Sequence, residues 1–338
     1  MSTTRRHLML QGTAMAAVAA VNLSPRRARA AEFNLRFGHG YPDTHPLNVR
    51  AREAAARIKD ESKGRVVIDM YPNSQLGGDS DLLNQVRSGA VDFFSTGGLI
   101  LSTLVKPAAI SGMGFAFSDY DKVWPAMDGE LGAYVRDAFA KSKLHAMTRI
   151  WDNGFRQITT SNRAIATPQD LQGFKIRVPV STIYTSLFKA LGSAPTSINL
   201  GEVYSALQTH ICDGQENPLI VVDTTKFYEV QKFVSMTNHI WDGNWVLANG
   251  DTWASLPADL QGVVERNFDA SAMDQRADIL RLNTSLRDTL AGRGLAVNTP
   301  DSAPFKQKLR DAGFYASWQG QFGAQGWDLL EKYVGKLA

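Results

Sequence analysis

Short β-rich runs and longer amphipathic runs take turns along the first part of the chain. Phe33–Gly38 reads as a strand, and Leu47–Glu61 carries helix formers with apolar residues at helical spacing. After Gly64, the run Arg65–Tyr71 holds Val66, Val67, Ile68 and Met70, the pattern of a buried strand. Asp79 is placed to cap a helix that runs to Ser88 and stops at Gly89, and Val91–Ser95 is the next strand. That order predicts a mostly parallel sheet covered on both faces.

A second α/β unit follows from about residue 150. Ala146–Trp151 reads as a strand, Thr167-Pro168 starts a short helix, and Phe174–Val178 is a strand ended by Pro179. Val180–Leu191 is helical and stops at Gly192, and Asn199 with Glu202 makes a capping-box pattern before Val203–Leu207. Pro257–Gly292 is one long helical stretch. A helix of 30 or more residues is about 45 Å long at about 1.5 Å per residue, longer than one small domain, so it is expected to lie along both units.

Composition narrows the class. The 338 residues are 44% apolar and 20% charged, which fits a globular chain of roughly two domains. The formal charge of +3 is misleading, because the first 30 residues hold five arginines and no acid. Without them 31 basic residues face 33 acidic ones, so there is no excess positive charge of the kind nucleic-acid binding needs. That N-terminal segment has Arg5-Arg6, a weakly apolar stretch from Leu8 to Leu23, and Ala28-Arg29-Ala30 before an expected cut. This is the layout of a secretory signal, and Thr4–Met9 resembles the twin-arginine type, which places the mature chain in the periplasm without insertion in the membrane. Cys212, the one cysteine, excludes an internal disulfide and reads as a small buried filler.

Enzyme signatures are absent: there is no HExxH, no GxSxG and no phosphate-binding glycine loop. His39 and His45 are six apart beside two prolines, and a capping or surface role suits them better than a metal. Three other residues stand out. Arg156 follows Trp151–Phe155, Arg177 sits between Ile176, Val178 and Pro179, and Asn217 lies in a polar run bracketed by turn signals. In open α/β sheets ligands bind beyond the carboxyl ends of strands. An arginine among apolar neighbours needs an anion, and its planar fork suits a carboxylate. Taken singly, the plainer readings are a structural salt bridge for Arg177, a surface charge for Arg156 and a turn residue for Asn217.

From Phe33 onward the chain resembles the solute-binding proteins of tripartite ATP-independent periplasmic (TRAP) transporters. The resemblance rests on Gly64-Arg65-Val66, Tyr71-Pro72-Asn73-Ser74-Gln75-Leu76-Gly77, Gly173-Phe174-Lys175-Ile176-Arg177-Val178-Pro179, Glu202–Gln208 and Asp213-Gly214-Gln215-Glu216-Asn217-Pro218, in the family's order. It implies an α/β, two-lobed periplasmic binding protein (type II-like), with crossing hinge strands and a long helix spanning both lobes. Lobe I is then 31–153 plus about 243–281, and lobe II 154–242 plus about 282–338. It further implies that Arg177 grips a substrate carboxylate, that Arg156 supports it and that Asn217 contacts the carboxylate or its neighbours. The partners are a small organic acid and the membrane permease subunits, with no catalysis and no cofactor. The branch that binds 2-oxo acids through a metal has Glu-Trp where this chain has Glu216-Asn217, which argues against a metal.

The rest of the ligand is read from aromatic residues at strand ends and loops. Phe37, Tyr41, Phe117, Trp151, Trp241 and Trp245 are candidates for the cleft wall, with Gln75 beside them. Gly112-Met113-Gly114-Phe115 departs from the family's Leu-Pro-Phe, and its small residues suggest room for a bulky group. The resulting expectation is a monocarboxylate such as the aromatic 2-hydroxy or 2-oxo acids mandelate and benzoylformate. The alternatives are a secreted enzyme using His39, His45 or Asp79 as acid or base, and a receptor feeding a signalling protein.

Overall fold

Period-2 alternation within the strands sends neighbouring side chains into two separate cores. Phe93 packs with Leu35, Phe37 and Phe268, whereas Phe94, the next residue, packs with Leu82, Leu99 and Ile110. Trp245 and Leu247 likewise face one core, and Val246 and Ala248 the other. The computed structural model describes residues 31–337; the secretory signal expected in residues 1–30 lies outside them.

The strands are β1 (Phe33–His39), β2 (Val66–Tyr71), β3 (Phe93–Gly97), β4 (Leu144–Ala146), β5 (Trp151–Thr160), β6 (Lys175–Val178), β7 (Ala194–Ser197), β8 (Gly214–Pro218), β9 (Phe233–Ser235), β10 (Trp241–Asn249) and β11 (Ala296–Asn298). They form one sheet in the order β2-β1-β3-β10-β5-β8-β6-β7, with β4 pairing β10, β9 pairing β5, and β11 pairing β9. β1 is parallel to β2 and β3, and β6 is parallel to β7 and β8. The two parallel halves meet through antiparallel β5 and β10. Trp151–Phe155 pairs with Trp241–Asn244, Arg156–Thr160 pairs with β8, and Asn244–Ala248 pairs with β3. The register of the crossing shifts between Asp242 and Gly243.

Most of the elements read from the sequence are present, including Pro46–Glu61 and Lys175–Val178. Three differ in detail, and one is the capping box expected of Asn199 and Glu202, where Asn199 makes no side-chain cap bond and a short 3-10 turn, Leu200–Glu202, precedes the helix. Asp79 is the first residue of its helix, and Gly78 is the cap, its N–H donating to Asp81 Oδ2 at 3.1 Å. The single strand expected over Ala146–Trp151 is two, because the chain leaves β4 at Met147 and enters the crossing strand β5 only at Trp151. Gly89 ends the Asp79 helix with φ 78°, a left-handed conformation natural to glycine.

The long helix is Ala258–Gly292, 35 residues or about 52 Å. It packs on the helix Pro46–Glu61, on β5 and on the helix Leu219–Thr224, so it touches elements from both halves of the sheet. Arg57 reaches Asn267 and Ser271, and Arg50 pairs with Asp278 at 2.7 Å. Among the described residues no helix is long and apolar enough to cross a membrane.

Candidate functional site

Four strand ends converge on one cavity. Gly40 and Tyr41 follow β1, Thr96 and Gly97 end β3, Arg177 and Pro179 mark the end of β6, and Asn217 lies near the end of β8. All four strands run parallel to a neighbour, so their carboxyl ends lie where α/β sheets hold ligands. Asp79, Arg156 and Asp242 complete the polar wall, and Ile100 and Leu200 supply apolar surface. The cavity is tight as it stands, about 20 Å³, with room for little more than a single water.

Arg177 sits on β6 between β7 and β8, in register with Thr196 and Gln215. Its side chain is 1% exposed. Nε and Nη2 both donate to the Ile198 carbonyl, at 2.8 and 2.5 Å, and Nη1 has no partner among the described residues. Burial draws its pKa down to about 10, against the opposing pull of Glu216. This is a desolvated cation held in place by a neutral carbonyl and short of an anion.

Arg156, on β5, is in the opposite condition. Nε donates to Glu216 Oε2 at 2.5 Å, Nη1 to Asp242 Oδ2 at 2.9 Å, and Nη2 to Glu216 and to Asn217 Oδ1. Burial works against its charge, yet Glu216 and Asp242 keep it more basic than an ordinary arginine. Glu216, itself fully buried, also meets His239 Nε2 at 3.0 Å. Burial opposes ionisation of Glu216 too, but Arg156 and His239 hold its pKa below the ordinary value. Arg156 thus lines the cavity with its charge already answered by the protein, and it fixes Asn217, whose Nδ2 donates to Gln215 Oε1 at 2.6 Å.

Tyr41 joins them, its hydroxyl donating to Asn244 Oδ1 at 2.9 Å and its ring stacked on His45. The other expected site residues lie outside the lining. Phe37 is in the core against Phe93 and Phe268, and Trp151 is buried in that same core. Trp241 packs on Phe117 and Trp124 and donates to Asp152 Oδ1, and Trp245 packs on Phe139. Gln75 is exposed in the turn after β2. Strand parity and the register shift decide where these rings point, so position at a strand end did not suffice. The room expected at Gly112 and Gly114 is filled: a Cβ there would stand 2.6 Å from Leu99 and 2.4 Å from Leu187.

Asp242 and Glu216 are the site acids that sequence reasoning missed; Asp79, considered there only as the acid or base of an enzyme, joins them on the cavity wall. The signal was there, for Asp242 and Asn244 interrupt the otherwise apolar run Trp241–Ala248, and a buried acid needs a partner. His39 and His45 prove internal: His45 Nδ1 accepts from Leu47 N at the start of its helix, and His39 bonds Asn48 and Tyr41 N. Among the described residues no cluster of three or more His, Cys, Asp or Glu could hold a metal ion.

The chain is 34% identical over 273 residues to the uncharacterized protein y4mM of Sinorhizobium fredii, covering 81% of this chain and 50% of that protein. A TRAP periplasmic solute-binding protein of Sulfurospirillum deleyianum, solved with bound succinate, superposes with a TM-score of 0.83 at 27% identity, over 90% of this chain and 98% of the other. The sugar acid binding protein DctPAm of Advenella mimigardefordensis, solved with galactonate, gives a TM-score of 0.86 at 25% identity, over 91% and 100%. The fold is therefore that of the two-lobed TRAP periplasmic receptors, which are binding proteins and not enzymes. With residues 37–314 matched by its model, the chain belongs to family 7 of the bacterial extracellular solute-binding proteins, the DctP family.

Proposed function

We propose that this receptor captures a small organic acid by its carboxylate on Arg177 and delivers it to the membrane permease of a TRAP transporter. The observation that carries the reading is the buried guanidinium of Arg177, which lines the cavity with Nη1 unpartnered among the described residues. A carboxylate would supply the missing acceptor and charge, each charge-assisted hydrogen bond contributing roughly 1.5–3 kcal/mol against the about −8 kcal/mol of a micromolar complex. Succinate and galactonate, the guests of two similar structures, are both carboxylates.

Capture works by closure of lobe I (31–153 with about 243–281) on lobe II (154–242 with about 282–338). The crossing of β5 and β10 near those boundaries supports the division. Only the closed state lets both lobes touch the guest, so ligand shifts the equilibrium toward it. Among carboxylates, the preference for mandelate or benzoylformate loses its ground, since of the six aromatic candidates Tyr41 alone joins the cavity lining. Export of the chain to the periplasm by a twin-arginine signal at Arg5-Arg6 belongs to the same reading; replacing both by lysine should block it.

A thermal-shift panel of organic acids tests the main claim. A guest at 100 times its Kd stabilises by about 2.7 kcal/mol, which raises Tm by several degrees. The guest should be recovered unchanged. Absence of stabilisation by any carboxylate would sink the reading, and steady turnover would replace it with an enzyme.

A further inference from the structure

What the guest carries besides its carboxylate can be argued from the acids around Arg177, given the reading just proposed. Asp242 is buried at the register shift of β10. Its Oδ2 accepts from Arg156 Nη1 at 2.9 Å, and from Asn153 Nδ2 and the Tyr184 hydroxyl at 3.4 Å each. The carboxylate rests on the backbone of Gly97: a Cβ built there would stand 2.7 and 2.8 Å from its two oxygens. Any side chain at 97 would push Asp242 out of its place on the cavity wall.

Asp79 lines the same cavity from the first turn of its helix, its Oδ1 accepting from the Thr96 hydroxyl at 3.2 Å. Burial raises both carboxyls above the ordinary range, Arg156 offsetting this for Asp242 and Arg177 for Asp79. The local charge count is two guanidinium groups, Arg156 and Arg177, against three carboxyls, Asp79, Glu216 and Asp242. Glu216 and Asp242 contact Arg156 directly, whereas Arg177 has no carboxylate within ion-pair distance among the described residues. One guest carboxylate therefore finds a cation. A second would meet acids already poorly solvated, where like charges repel strongly. A hydroxyl or an ammonium would instead donate to them.

We propose that Asp242 is a specificity-determining residue: with Asp79 it selects a monocarboxylate that carries a hydrogen-bond donor, hydroxyl or ammonium, away from the end held by Arg177, and it rejects dicarboxylates. Gly97 is the space that allows this.

Calorimetry on the full mature chain tests the proposal with matched probes: butyrate, 4-hydroxybutyrate, 4-aminobutyrate and succinate, and at greater length galactonate against galactarate. In at least one length class the donor-bearing monoacid should bind tenfold or more tighter than the diacid, the hydroxy and amino arms telling the two donors apart. Asp242→Asn should raise diacid affinity tenfold or more. Gly97→Ala, which displaces the carboxylate by steric contact, should act in the same direction if the asparagine variant fails to fold. Wild-type protein binding succinate or galactarate as tightly as the matched monoacids, with binding still lost in Arg177→Ala, overturns this proposal and leaves the carboxylate receptor standing. Failure of every carboxylate to bind overturns both.

Discussion

Arg177 turns two of its N–H groups onto one backbone oxygen, that of Ile198, and leaves Nη1 without a partner among the described residues. The carbonyl positions the fork without neutralising it. Ile198 follows β7, which pairs with β6 in register with Arg177, so the sheet itself sets the direction of the guanidinium.

From this follows the first prediction. Arg177→Ala should weaken carboxylate binding by at least about 30-fold, since truncating one side of a desolvated charge pair costs about 2–5 kcal/mol. Arg177→Lys should remain weak, because an ammonium cannot meet Ile198 and a carboxylate with the same planar geometry. Far-UV circular dichroism and the denaturant midpoint of the unliganded variants should show that the fold survives. Normal binding by the alanine variant would place the guest elsewhere.

Arg177 was legible in the sequence because Ile176, Val178 and Pro179 leave an arginine no exposed position on that strand. Of the parallel strands, β1, β2, β3 and β6 were legible from their apolar positions and the turn signals beside them, whereas β7 (Ala194–Ser197) and β8 (Gly214–Pro218) carry no apolar run to read. The crossing was not legible either. Every residue of β10 is buried, so Trp241–Asn249 has no alternation to read, and its partner β5 begins after a break that local propensity does not mark. The partners of Arg156 were hidden by distance along the chain: Glu216, 60 residues away, meets it through the pairing of β5 with β8, and Asp242, 86 away, through the crossing. The aromatic residues misled because a strand end can point its ring to either core.

Glu216 is predicted to be structural before it is functional. Its carboxylate joins Arg156 and His239 with no exposure to solvent. Glu216→Gln puts an amide donor among donors and leaves Arg156 with only Asp242 as a charged partner. Breaking a buried pair from one side costs about 3–5 kcal/mol, so the urea midpoint should fall sharply. A loss under about 1 kcal/mol would mean that Asp242 alone suffices for Arg156.

One side chain of the long helix grips the backbone of the crossing strand. Gln275 Oε1 accepts from Asp152 N at 2.9 Å while its Nε2 donates to Asp152 O at 2.6 Å, all of it buried. Gln275→Ala leaves both backbone groups without partners, at about 1–3 kcal/mol each. Stability should fall by roughly 2–6 kcal/mol, and amide exchange should quicken at Asp152 and its neighbours on β5. Unchanged exchange there would show that the strand is held by its sheet pairing alone.

Asp152 also gives the fold a pH dependence of definite sign. Its side chain accepts from Trp241 Nε1 at 3.0 Å, and burial pushes its pKa up from 3.8 to about 6 in spite of that bond. Below pH 3.8 the folded and unfolded chains both hold the proton, and the shift has no effect on stability. Between there and about pH 6 the unfolded chain ionises first, so stability declines as pH rises. Above about pH 6 the folded state carries the whole cost of a desolvated charge, at most about 3 kcal/mol for a shift of this size. Asp152→Asn keeps an acceptor for Trp241 and cannot ionise. Relative to wild type, its unfolding free energy should therefore gain roughly 2–3 kcal/mol between pH 4 and pH 7, read from urea midpoints at the two pH values. A difference between the two proteins that stays constant with pH would show that Asp152 does not titrate across this range in the folded chain.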